Sequence, residues 1–207
     1  GSLVVGRAIT RACGRDKWWG IEPAVGFAAL MAVEGLLARI PGTHTALIIG
    51  VAVVMLASLW VLRRPTRDDL PDSPLFWLAG LISALVLTIP FLISARWGLL
   101  GMGYNNDLGL HLAWAEWLRS GFGTEPSDGY PLGPHGLSAA LSFLPDFALG
   151  RVFIGQVMAI AVLTVMTAWA SVSSLGRWRR LLATLLIGLP YLMVSYYAQA
   201  AFKELAA

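Results

Sequence analysis

Six residues in the second half of the chain carry the functional groups that could do chemistry: Asp107, His111, Tyr130, His135, Lys203 and Glu204. Asp107 and His111 are four apart, so on a helix they share one face. A carboxylate and an imidazole one turn apart can serve as a general base pair or as two metal ligands. An Asp at a helix start can equally be only a cap. Tyr130 and His135 lie in GYPLGPH, where two prolines and two glycines make a stiff turn. That turn either presents the phenol and imidazole to a ligand or is a rigid entry into a following helix, 136–144. Lys203, beside Glu204, follows an apolar segment. An ammonium there suits an anionic headgroup, since Lys binds phosphate as a point charge; the alternative is a snorkelling Lys paired to Glu204.

These groups need elements to position them. Asn105 and Asn106 can cap a helix opening at Asp107, where a carboxylate is favoured by the helix dipole. Leu108, Leu112, Ala115 and Leu118 recur at helical spacing, and Gly121 and Gly123 stop the helix. Glu116, further along it, reads as solvated or salt-bridging. Trp114, Trp117 and Phe122 would suit a docking surface or a helix lying on a membrane.

Around this stretch the chain is apolar. Of 207 residues 57% are hydrophobic and only 13% charged, with nine Trp, a membrane composition. The formal charge is +3 and one cysteine, Cys13, is present, so no disulfide framework forms within the chain. Basic residues cluster at span ends with no nucleic-acid footprint. The fold class is therefore all-α: a single polytopic transmembrane bundle over 1–207, with about five spans and an extracytoplasmic loop bearing short amphipathic helices. The spans are expected near Ala24–Ile40, Thr45–Leu62, Leu75–Ile93 (with Pro90 as a kink or early stop), Phe147–Val172 and Leu181–Tyr197. The opening GSLVVG reads as the tail of an earlier hydrophobic helix, so the chain is expected to be part of a longer polytopic protein. Trp18–Trp19 and Tyr196–Tyr197 read as interfacial pairs.

Glu34 falls inside the first span. An intramembrane carboxylate is a functional candidate by default, but pairing with Arg39, or snorkelling near the outer end, is the simpler expectation. Asp68, Asp69 and Asp72 follow Arg63, Arg64 and Arg67, and read as a solvated, charge-balanced linker rather than a metal cluster.

Three basic clusters, near 7–17, 63–67 and 177–180, fall on one face of an alternating five-span path. The positive-inside bias makes that face cytoplasmic. The 94–146 loop, with five acids and two bases, then lies outside a plasma membrane, as do residues 202–204.

In order and spacing, NNDLGLH (Asn105–His111), GYPLGPH (Gly129–His135) and FKE (Phe202–Glu204) resemble the GT-C superfamily of integral-membrane glycosyltransferases, with the flavour of actinobacterial arabinofuranosyl- and mannosyltransferase-like members. The resemblance runs over about 75–207. It implies transfer of a sugar from a polyprenyl-phosphate carrier to an extracytoplasmic glycan, lipid or protein acceptor. It implies Asp107 as general base, His111 orienting it or contacting the carrier phosphate, Tyr130 and His135 lining the donor site, and Lys203, with Glu204 beside it, at the lipid phosphate. Many members place the key loop after the first span and pair the Asp with a second acid. Here at least three spans precede the loop and Asn106 precedes Asp107, which leaves the need for a divalent metal open. The competing readings are a transporter or flippase of a lipid-linked substrate, for which Glu34 is the one mid-span charge, and a non-catalytic membrane scaffold.

Overall fold

The computed structural model describes residues 1–207 apart from 41–42, 65–66, 72, 99, 101–106, 144–147 and 199–207; the side chains at 43, 67, 107 and 191–193 also lie outside the description. The described residues form helices joined by turns: α1 (Ser2–Ala12), α2 (Glu22–Leu37), α3 (Thr43–Val61), α4 (Pro74–Ser94), α5 (Asp107–Ser120), α6 (Gly133–Leu141), α7 (Leu149–Ser171), α8 (Arg177–Gly188) and α9 (Tyr191–Ala198), with one 3-10 turn at Arg67–Asp69.

Three of these, in α3, α4 and α7, are long and apolar enough to cross a membrane: His44–Val61, Pro74–Ser94 and Leu149–Ser171. They coincide with three of the expected spans. Pro90 does not end α4, which continues to Ser94 and closes on Ala95 with φ 51°. Where the first span was expected stands α2, 16 residues long, about 24 Å against a hydrocarbon core of about 30 Å. Where the fifth was expected, the chain breaks at Leu189–Pro190 into α8 and α9. Pro190 lacks the N–H that would continue the helix. Tyr197, expected as half of an interfacial pair, is wholly buried within the protein, edge-on to Phe91. Trp18 likewise packs edge-on to Phe76, while Trp19 is exposed.

α7 is the central post. Its Val165, Met166 and Trp169 pack with Phe76 of α4 and Leu181 of α8. Nearer its start, Phe153, Ile154 and Val157 pack with Leu87, Phe91 and Tyr197. α3 and α4 turn rows of large apolar residues outward, among them Val53, Leu56 and Leu59, and Leu81, Leu85 and Ile89. Such rows are costly in water and suited to lipid.

α1 lies against α2 through glycine. A Cβ on Gly6 or Gly26 would run into the backbone of Glu22 or of Ser2 and Gly6. Small residues of this kind let helix backbones touch.

The two ends of the bundle differ in chemistry. At one end Arg7 is 2% exposed and ion-paired to Asp69 at 2.8 Å. It also donates to the carbonyls of Arg15, Asp16 and Lys17. Arg11 bonds Asp69 and the Arg64 carbonyl. Trp18 N–H donates to the Asp68 carbonyl, Gly20 abuts Ala170, and Arg180 donates twice to the Trp169 carbonyl. These contacts gather the described parts of all three basic clusters at one end. The linker is thus not simply solvated: Asp68 is exposed, but Asp69 is buried because two guanidinium groups neutralise it. α5 and α6 cap the opposite end, packing on Ala38 and Leu47 where α2 ends and α3 begins.

Candidate functional site

α5 starts at Asp107 and stops at Ser120; Gly121 and Gly123, at φ 75° and 107°, adopt the left-handed conformation that ends a helix. Ala115 and Leu118 are buried, and Leu108 and Leu112 pack against the core around Phe153. This fixes the helix rotation and sends His111 inward. Glu116, on the outer side, pairs with Arg119 at 2.7 Å as a partly exposed i,i+3 bridge.

The segment 121–132 then crosses the end of the bundle without regular structure and delivers Tyr130, preceded by Gly129 at φ 77°. Pro134 sits in the first turn of α6, where a missing N–H costs nothing. α6 has nine residues, and all but two of them are buried. It reaches this depth because its glycines meet backbone: a Cβ on Gly133 would strike the Met31 carbonyl, and one on Gly136 would press on Glu34.

These elements bring His111, Tyr130 and His135 together. His111 Nδ1 and His135 Nε2 are 2.8 Å apart, and both residues are wholly buried. That spacing is a hydrogen bond; two nitrogens on one tetrahedral zinc would stand about 3.3 Å apart. One nitrogen must donate and the other accept, so the bond is lost if both rings are fully protonated. The pair can therefore hold one proton between two bases. Around it stand aromatic rings: Phe153 stacked on His111 at 6.1 Å and 15°, Trp114 edge-on to His111 at 5.5 Å, and Tyr130 edge-on to His135 at 5.7 Å. Trp114 and Tyr130 are 4.4 Å apart, and Tyr130 alone of the group is partly exposed. Tyr130 forms the cover over the imidazoles.

One turn along α6 from His135, Ser138 donates to Gln156 Oε1 at 2.8 Å, both residues buried. On the other side of α6, Glu34 is wholly buried with no hydrogen-bond partner for either carboxylate oxygen. Expectation is corrected here: Glu34 neither snorkels nor meets Arg39, which is exposed. α2 turns Glu34 inward, where a Cβ on Gly50 or Gly136 would press against it.

Of the six expected site residues, three converge. Asp107 opens α5 one turn before His111, with its side chain outside the described residues, and Lys203 and Glu204 also lie outside them. α9 runs toward this end, since Tyr197 packs with Phe91 and Phe153. Trp114 turns inward at 6% exposure and Trp117 packs on the core, so of the three aromatics read as a docking surface only Phe122 is fully exposed. Sequence reading missed Phe153, whose apolar segment gives no signal. It also missed Gln156, which an amide within a membrane-length helix could have flagged. Among the described residues no group of three or more His, Cys, Asp or Glu could hold a metal ion.

Fold and site define a class: a helical protein with membrane-length apolar helices and an aromatic-walled imidazole pair at one end. Comparison with family models, curated proteins and solved structures finds no match.

Proposed function

We propose that the chain is part of a membrane glycosyltransferase with five crossings, using a polyprenyl-phosphate sugar at the end of the bundle that carries His111, Tyr130 and His135. The observation that supports this is the convergence of those three side chains from segments 24 residues apart at the imidazoles. In the reaction the acceptor hydroxyl attacks the anomeric carbon, the bond from that carbon to the phosphate oxygen breaks, and the hydroxyl proton passes to a base. Asp107 takes that proton and gives it up to water after the product leaves, and the His111–His135 pair stands one turn along α5 from it. The electron pair of the broken bond leaves on the lipid phosphate, to which the resemblance assigns Lys203. Aromatic faces such as Trp114 and Tyr130 suit the apolar side of a sugar ring. The imidazoles are covered, so the acceptor enters when 121–132 shifts and carries Tyr130 aside. The basic end then faces the cytoplasm and the site faces outward.

The test is sugar transfer by the full-length protein in proteoliposomes. Asp107→Asn and His135→Ala should each lower turnover by about a hundred- to ten-thousand-fold, the usual effect of losing a general base. Wild-type turnover in both would remove the assignment.

Glu34 favours a second reading, translocation of a lipid-linked substrate. A buried carboxylate without a partner, and a broken α8–α9 pair, are features of transporters. Loss of lipid translocation in Glu34→Gln with no sugar transfer by wild type would favour it.

A further inference from the structure

The arginines at the basic end fall into two sets. Arg7, Arg11 and Arg180 are engaged with internal carbonyls or Asp69. Arg15, Arg63, Arg64, Arg177 and Arg179 are exposed, as is Lys17. The exposed acids among the described residues here are Asp16 and Asp68, because Asp69 is taken by Arg7 and Arg11. Among the described exposed residues at this end, six cations against two anions leave a surplus of four positive charges.

Exposed tryptophans stand among them. The Arg15 guanidinium lies over Trp19 at 4.1 Å and that of Arg63 over Trp60 at 4.3 Å. Trp178 lies between Arg177 and Arg179 and is 62% exposed. Trp60 ends the outward apolar row of α3, one residue beyond Leu59. In a helix that crosses a bilayer, the end of such an apolar row falls near the boundary between hydrocarbon and headgroup, where indole is most stable. A guanidinium held on an indole face keeps the planar N–H fork that matches a phosphate.

We propose that this end binds the headgroups of anionic phospholipids in preference to zwitterionic ones. The inference rests on the chain spanning a bilayer and is independent of sugar transfer. The partner is a lipid because the cations rim an apolar, outward-facing surface. Clustered basic residues at a helix end attract anionic lipid, and the attraction weakens with salt.

The full-length protein in nanodiscs of phosphatidylcholine, with and without phosphatidylglycerol, provides the test. Phosphatidylglycerol should raise the melting temperature of wild type, and high salt should remove the rise. R63Q/R64Q/R177Q/R179Q should melt as wild type does in phosphatidylcholine yet lose most of the rise. Arg119→Gln, at the opposite end, should keep it. Inorganic phosphate should not substitute for the lipid. No rise in wild type, a rise unaffected by salt, an equal rise in the multiple variant, or reproduction by phosphate alone would each overturn the proposal. The wild-type salt arm decides the matter even if the multiple variant fails to fold.

Discussion

At the basic end, Arg7 and Asp69 are buried as an ion pair, and three backbone carbonyls accept from the guanidinium. At the opposite end, His111 and His135 are buried as deeply, yet their surroundings are aromatic rings and their mutual bond requires that one nitrogen stay unprotonated. The first arrangement has one stable state, because removing Asp69 leaves the Arg7 charge buried without its counter-ion and removing Arg7 leaves Asp69 with Arg11 alone. The second rests on one N–H···N bond between rings held by aromatic packing. The contrast separates a clamp from a candidate site: fixed charge, fully bonded, locks α1 to the linker, whereas two bonded imidazoles lie under a partly exposed Tyr130.

Substitutions can break that contrast. Arg7→Ala should have the largest effect, a loss of about 3–5 kcal/mol, because Asp69 stays buried with Arg11 alone and three carbonyls lose their donor. Thermal unfolding in detergent would read it, and Arg7→Lys should rescue little, since an ammonium cannot make the forked set. Gly26→Ala should cost about 3 kcal/mol, toward the upper end for overpacking, as its Cβ meets rigid backbone of α1. His135→Ala should cost only about 1–3 kcal/mol in the same measurement; on the proposed reading turnover would fall by about a hundred- to ten-thousand-fold, and the gap between the two would sharpen the distinction between clamp and site. Glu34→Leu should be neutral or stabilising by about 1 kcal/mol, because it removes a buried carboxylate without a partner. Glu116→Ala should change stability by less than about 0.5 kcal/mol, as befits a partly exposed bridge.

The long apolar helices were legible because membrane spans announce themselves by length and hydropathy, and α3, α4 and α7 follow the expected bounds closely. The Gly121 and Gly123 stop to α5 was legible from backbone conformational preference. The inward turn of His111 toward His135 was less so. Spacing put Asp107 and His111 on one face, but nothing local says that α6 sinks into the bundle, which depends on Gly133 and Gly136 meeting α2. Glu34 was misread for the same reason: in the chain its nearest opposite charge is Arg39, whereas helix rotation turns it onto Gly50 and Gly136. The division of Leu181–Tyr197 was written in Pro190, yet hydropathy runs on past it.

Topography is tested most directly by labelling. Cys13 is exposed at the basic end and is the sole cysteine of the chain; Ser127 is exposed in the segment over the imidazole pair. With a membrane-impermeant maleimide on intact cells expressing the full-length protein, any cysteine outside these 207 residues being replaced by serine, Cys13 should remain unlabelled until the cells are permeabilised. The variant Cys13→Ser with Ser127→Cys should label from outside at once. Labelling of both positions from the same side, or the reverse order, would contradict an outward-facing site opposite a cytoplasmic basic end.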